Sequence, residues 1–193
     1  MFEPMLVGSP SEDMFFKRIK SGVWVFELKW DGWRCIAKVK GGRARLFSRE
    51  GKDITGRHPN VAYDMGQLPD GVYDGELVVL DDEGRSNFSA LQRAARPAHY
   101  LLFDLPEMPG SVVERNRALQ GMVPPGGWLI VSTLIPDFAA AWQLVTTYGL
   151  EGVVAKRVDS AYAPGTRTRD WLKRKQPNWR ALQPSLPLFE VAA

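Results

Sequence analysis

Lys29 is the first residue whose surroundings suggest chemistry. It follows Glu27 by two positions and precedes Asp31-Gly32, a strong two-residue hairpin signal. A tight turn there would set Lys29 opposite Arg34, and like charges directly across a strand pair repel one another. An anion between them would remove the difficulty, as would full solvation. A lysine crowded by cations gives up its proton more readily, and a neutral lysine beside a phosphate is a nucleophile. A plain surface lysine on a hairpin also fits this segment taken alone. Three further segments add to it. Asp74 and Glu76 place carboxylates on one face of an apolar strand, opposite Tyr73, Leu77 and Val79. Glu151 and Lys156 bracket Gly152-Val153-Val154-Ala155, and Lys173 and Lys175 stand at period two against Leu172. Each could be a strand edge defended by charge. Together they offer cations for phosphates and carboxylates for a divalent metal, the requirements of metal-assisted nucleotidyl or phosphoryl transfer.

These side chains need strands to hold them. Residues 23–30 alternate, with Trp24, Phe26, Leu28 and Trp30 on one face and Val23, Val25, Glu27 and Lys29 on the other. Asp31-Gly32 then turns the chain into a second strand through Lys40, and Gly41-Gly42 turns it into a third over residues 43–49. Residues 71–80, 100–105, 150–158 and 170–175 read as further strands. Helices are fewer. Residues 89–95 open with a Ser89/Gln92 capping box, residues 112–119 form a second helix, and residues 137–148 a third, with Asp137 as N-cap and Gly149 as C-cap. Strands that come in hairpins, out of regular alternation with helices, predict an α+β domain with largely antiparallel sheets flanked by helices.

Composition bounds the answer. The chain has 193 residues and a net charge of +3, enough for one ordinary domain with a short appendage. Residues 156–180 carry net +6, which leaves −3 for the rest. A basic end on a mildly acidic body is the pattern of a polyphosphate or nucleic-acid binder, although a solvated surface segment would look the same. Cys35 is the one cysteine, which favours a reducing compartment. The start, Met1-Phe2-Glu3-Pro4, lacks a leader pattern, and no apolar run approaches the roughly 20 residues of a membrane span; a cytoplasmic protein is expected. After Lys175 the chain turns proline-rich, so the expected folded body is residues 1–179, with a flexible tail over residues 180–193.

Six blocks in order resemble the covalent nucleotidyltransferases, the superfamily of DNA ligases, RNA ligases and mRNA capping enzymes. Lys29-Trp30-Asp31-Gly32-Trp33-Arg34 reads as the KxDGxR signature. Ser48-Arg49-Glu50-Gly51, Asp74-Gly75-Glu76, Tyr100-Leu101-Leu102-Phe103-Asp104, Glu151 through Lys156, and Trp171 through Lys175 follow it. The flanks Phe2 to Leu6, Phe88 to Gln92 and Tyr162 to Arg167 are similar to the ligase domains of bacterial ATP-dependent DNA ligases, including those of end-joining type. The resemblance implies an ATP-grasp-like adenylation domain that uses ATP and Mg²⁺ or Mn²⁺ and acts on nicked double-stranded DNA. It implies that Lys29 takes AMP as a phosphoramidate, that Glu27 lies at the adenine edge and that Phe103 stacks on the base, where a plain core aromatic is the competing reading. Arg34 and Glu76 would address the ribose side, Arg49 and Arg167 the 5′-phosphate of the nick, and Lys173 and Lys175 the α-phosphate. Glu76 and Glu151 would serve the metal.

Such ligases continue past the last lysine block into an OB-fold domain that binds nucleic acid, whereas eighteen residues follow Lys175 here. On that basis the expectation is weak, salt-sensitive DNA binding and a charging step that suffers more than closure of a pre-adenylated nick. The tail, with Leu186, Leu188 and Phe189, is similar to peptides that dock on the bacterial sliding clamp; a linker remnant packing back on the body is the competing reading. RNA or mixed-substrate end joining, and a non-catalytic nick-binding module, stay open as alternatives to DNA sealing.

Overall fold

The computed structural model describes residues 2–94 and 96–179. Two sheets carry the site. The first has four strands: β1 (Leu6–Gly8), β2 (Trp24–Lys29), β8 (Gly152–Arg157) and β9 (Arg167–Lys175), in the order β1-β9-β8-β2. The second has five: β3 (Trp33–Lys40), β4 (Arg43–Ser48), β5 (Gly71–Val78), β6 (His99–Asp104) and β7 (Leu129–Val131), in the order β4-β3-β5-β6-β7. Pairing is antiparallel except for β1 with β9 and β6 with β7. The helices are α1 (Glu12–Ile19), α2 (Pro59–Met65), α3 (Phe88–Gln92), α4 (Val112–Met122) and α5 (Phe138–Tyr148). The α+β expectation with mainly antiparallel sheets therefore holds. The proposed tail and its clamp-docking residues lie outside the described residues.

Local chemistry explains the element ends. Gly41 and Gly42 both have positive φ, 56° and 71°, as the two central residues of a hairpin turn with the right-handed strand twist require. Asp137 accepts a hydrogen bond from the Ala140 amide at 2.7 Å, and Gly149 closes α5 in the left-handed conformation at φ 61°, both as the sequence suggests. The expected Ser89/Gln92 box does not form. Asn87, two residues earlier, caps α3 by accepting from the Ala90 amide at 2.9 Å. A true capping box, Ser111 with Glu114, starts α4 instead. β1, β7, α1 and α2 add to the elements that the sequence pattern marks. Ser11 caps α1 and Pro59 occupies the first turn of α2, both ordinary start signals.

The main correction concerns Asp31-Gly32. It is not a hairpin turn. β2 pairs along its length with β8, and β3 pairs with β4 and β5, so these residues carry the chain from one sheet to the other. Gly32 passes so close to β5 that a Cβ would fall 2.1 Å from the Leu77 carbonyl oxygen. A glycine demanded by close approach and one demanded by a turn look alike in sequence. Lys29 therefore does not face Arg34: Lys29 is in register with Gly152 and Arg34 with Glu76.

Each sheet buries its own face. Cys35, Leu46, Tyr73, Leu77, Tyr100 and Leu102 of the five-stranded sheet pack with Val61, Met65 and Leu119 of the helices. Trp24, Phe26, Val153 and Leu172 pack with Phe15 of α1 and Ala141 and Val145 of α5. A third cluster of Met5, Tyr162 and Trp171, with Phe103 against it, sits beside the sheet crossover. The site lies where the two sheets meet.

Candidate active site

Three strands of the first sheet align Lys29, Gly152 and Lys175 in one row. Gly152 allows this, because a Cβ there would land 2.1 Å from the Arg174 carbonyl oxygen. The preceding residue, Glu151, is buried and bridges both lysines: Lys29 Nζ lies 2.8 Å from Oε2, and Lys175 Nζ 2.6 Å from Oε1. Lys29 keeps 23% of its side chain exposed, open to a cleft of about 550 Å³ that Glu76, Lys173, Arg49 and Arg167 also line. The Lys173 ammonium is pushed below the usual lysine range by burial first, then by Lys175 and Lys29.

Across the cleft, β5 presents Asp74 and Glu76 on the face opposite the core residues Tyr73 and Leu77, as the strand alternation requires. Burial pushes the Glu76 carboxyl up to about 7; Lys29 and Arg34 oppose this, and Glu151 and Asp74 add to it. Arg34 holds Asp74 with two parallel hydrogen bonds, Nε and Nη2 each at 2.5 Å, and Nη2 also donates to the Met5 carbonyl at 3.2 Å. Tyr162 donates its hydroxyl to the same Asp74 at 2.5 Å. Burial alone would lower the Arg34 guanidinium pKa; the Asp74 charge and hydrogen bonds override it and raise the value. The guanidinium lies 4.7 Å from the Phe103 ring centroid.

A smaller cavity of about 80 Å³ adjoins, shared by Lys29, Arg34 and Glu76 and deepened by Glu27, Phe103 and Lys156. Glu27 and Lys156 form a buried ion pair at 2.9 Å, and Lys156 also donates to the Phe103 carbonyl at 2.9 Å. Burial raises the Glu27 carboxyl pKa against the opposing pull of Lys156. Behind it, the fully buried Arg115 binds both oxygens of Asp104, at 2.5 and 3.2 Å, and the carbonyls of Gly110 and Ser160. Asp104 Oδ2 is 3.9 Å from Lys156 Nζ, so four alternating charges run from α4 to the cavity.

The structure gathers all the candidate residues around one crossover. Lys29, Glu151 and Lys175 touch. Glu76, Lys173, Arg34, Arg49 and Arg167 line the same cleft as Lys29, and Glu27 and Phe103 line the adjoining cavity. Arg49 follows the end of β4 and is exposed, and Arg167 donates to the Val7 carbonyl at 2.6 Å. Lys156 was visible in sequence only as a charge on a strand. Lys52 and Arg57 also line the cleft, and Arg57 sits 5.6 Å from the Trp33 ring; neither stood out in the sequence. Arg115, inside an ordinary-looking helix, carried no signal at all.

Glu76 lines the cleft, and Glu151, buried behind it, has its two oxygens on Lys29 and Lys175, so it could serve a divalent ion only after releasing one of them. Among the described residues no group of three or more His, Cys, Asp or Glu forms a protein cage. A carboxylate lining a cleft rich in cations suits Mg²⁺, which keeps several waters and takes other ligands from substrate phosphates. No helix among the described residues is long and apolar enough to cross a membrane.

Comparison with known proteins agrees with this geometry. Residues 4–175 match the family model described as ATP dependent DNA ligase domain. The multifunctional non-homologous end joining DNA repair protein LigD of Mycobacterium tuberculosis is 35% identical over 181 residues, covering 84% of this chain and 24% of that protein. The chain thus spans about a quarter of the length of this curated relative. The crystal structure of the ligase domain of M. tuberculosis LigD superposes with a TM-score of 0.76 at 33% identity, over 90% of this chain and 60% of that one. A mycobacterial DNA ligase D complexed with ATP and MES gives 0.75 at 32% identity, over the same shares of the two chains. The match runs along nearly all of the described body and takes in the crossover lysine and the buried glutamate that bridges it, and the chain belongs to the family of ATP-dependent DNA ligase domains.

Proposed function

We propose that the chain is the catalytic domain of an ATP-dependent DNA ligase that seals nicks with a 5′-phosphate and a 3′-hydroxyl. The carrying observation is that Lys29, tied through the buried Glu151 to Lys175, opens on a cleft that Glu76 and Lys173 also line. In the first step the Lys29 amine, having lost its proton, attacks the α-phosphorus of ATP; the bond to pyrophosphate breaks and lysyl-AMP forms. The ion pair to Glu151 must open before this attack. In the second step an oxygen of the 5′-phosphate attacks the AMP phosphorus and Lys29 leaves. In the third the 3′-hydroxyl attacks the activated 5′-phosphate, and AMP leaves as the phosphodiester forms.

The roles follow position. Glu27 meets the adenine edge and Phe103 its face in the smaller cavity. Arg34 has Nε and Nη2 committed to Asp74 and Met5, so Nη1 is its donor for the ribose side, beside Glu76. Lys173 and Lys175 grip the α-phosphate, and cationic groups placed before reaction stabilise charge with little reorganisation. Arg49 and Arg167, at the exposed rim, receive the 5′-phosphate of the nick. Mg²⁺ held by Glu76 and Glu151 would supply positive charge to the in-line displacement.

The named relatives point to repair by end joining, and hence to the cytoplasm of a bacterial cell. Docking of the tail on a sliding clamp through Leu186, Leu188 and Phe189 is part of the proposal, checked by a pull-down comparing wild type with Leu188→Ala/Phe189→Ala. The sealing activity is tested with nicked DNA, RNA and hybrid duplexes in ATP and Mg²⁺. Product on nicked DNA supports the reading. Sealing confined to RNA, or none on any duplex while the nick is still bound, would replace it with one of the alternatives.

A further inference from the structure

The hairpin of β3 and β4 sets four cations face to face. Lys38 is in register with Arg45, and Lys40 with Arg43, and all four are exposed. Like charges directly opposite on one face destabilise a strand pair. Arg45 is matched by Asp53 at 2.7 Å. Lys38, Lys40 and Arg43 make no ion pair among the described residues; Lys38 rests 5.8 Å from the Phe47 ring. Protection of a sheet edge accounts for Arg43 and Arg45 on the outer strand β4. It does not account for Lys38 and Lys40, because β3 has a partner on either side.

This face is also the one that carries the cleft. Cys35, Ala37 and Val39 enter the core, so Arg34, Ile36, Lys38 and Lys40 share the opposite side of β3. Register adds Arg43, Arg45 and Phe47 of β4 to that side, and Arg49 follows beyond the strand end. Arg34 and Arg49 line the cleft. A row of cations therefore leaves the cleft at Arg49 and continues along the hairpin to Arg43, broken only by Phe47. At about 3.3 Å per strand residue the row is roughly 20 Å long, with side chains on this face about 7 Å apart. Phosphates of each strand of duplex DNA advance about 3.4 Å apiece along the helix axis, so a row of this length and spacing can meet several phosphates along one flank of the duplex.

We infer that the cleft-side face of the β3–β4 hairpin is a phosphate-tracking surface for the DNA duplex beside the nick, with Lys38, Lys40 and Arg43 contacting the backbone. The inference rests on the DNA-ligase reading and adds to it a surface outside the nucleotide pocket. Backbone contacts carry no sequence information and do not need the nick. The three side chains therefore contribute equally on nicked and intact duplex, unlike Arg49 and Arg167.

The test uses the full chain and the triple variant Lys38→Gln/Lys40→Gln/Arg43→Gln. Binding to a nicked and an intact duplex of equal length is measured across a salt series, and AMP charging with ATP and Mg²⁺ is measured without DNA. Each phosphate contact contributes about 0.9 to the slope of log affinity against log salt, which amounts to roughly fivefold at 0.15 M relative to 1 M salt. The variant is expected to lose about 100-fold in affinity and close to three in slope on both duplexes, and to charge at the wild-type rate. Unchanged affinity and slope overturn the inference, as does a loss confined to the nicked duplex or accompanied by loss of charging. If wild type forms no AMP adduct while the triple variant still loses DNA affinity, the catalytic reading fails and the surface stands.

Discussion

Replacing Glu76 by glutamine should change how stability depends on pH. In the folded protein burial pushes the Glu76 carboxyl up to about 7, against about 4.5 for an ordinary glutamate. Four charged groups act on it from the surrounding elements: Lys29 of β2 and Arg34 of β3 hold it down, and Glu151 and Asp74 push it up. Because the folded value is raised, the native state binds the proton more tightly than the unfolded chain does. Stability is therefore lost as pH rises between about 4.5 and 7, and the full cost is present above 7. A span of roughly 2.5 pH units corresponds to at most about 3 kcal/mol. Glutamine keeps the shape and carries no ionisable proton. Glu76→Gln is thus expected to gain on wild type by up to about 3 kcal/mol between pH 5 and pH 8, or roughly 6–12 °C in relative melting temperature for a chain of this size. Thermal and urea unfolding of both proteins at pH 5, 6, 7 and 8, without nucleotide or metal, measures the difference. Parallel pH profiles for the two proteins would refute the assignment of a desolvated carboxyl to this position.

Two further outcomes follow from the packing. Gly152→Ala drives a methyl group into the Arg174 carbonyl, 2.1 Å from its oxygen; it should cost about 3 kcal/mol or more and abolish AMP charging, read by urea unfolding and by adduct formation. Lys156→Met leaves Glu27 buried without its partner and should cost about 3–5 kcal/mol, less at pH 5 than at pH 8 because protonation relieves the stranded carboxylate; adding Glu27→Gln should recover most of that loss, and a double variant no more stable than the single one would refute the pairing.

Much of this site is legible in sequence because strand alternation is local. The alternation of residues 71–79 alone puts Asp74 and Glu76 on the face away from Tyr73 and Leu77, and α5 announces itself through Asp137 and Gly149. What is not legible is long-range pairing. Asp31-Gly32 satisfies the local rule for a hairpin, yet β2 finds its partner about 125 residues away in β8. The repulsion expected between Lys29 and Arg34 therefore does not arise, since a carboxylate sits against each of them instead: Glu151 on Lys29 and Asp74 on Arg34. The buried charge relay is hidden for the same reason. Nothing near Arg115 in sequence shows that its guanidinium enters the core, because the charges it meets there, Asp104 of β6 and Lys156 of β8 beyond it, are brought in by strands distant in the fold. Motif order carries the identity of the site residues, and tertiary pairing decides what each one touches.

The central claim is that Lys29 is the nucleophile. The most direct test is to incubate the chain with ATP and Mg²⁺, denature it, and locate any bound AMP by peptide mass spectrometry. One AMP is expected, on the peptide containing Lys29, and none on Lys29→Ala. An adduct on another residue, or one that survives Lys29→Ala, would contradict that claim.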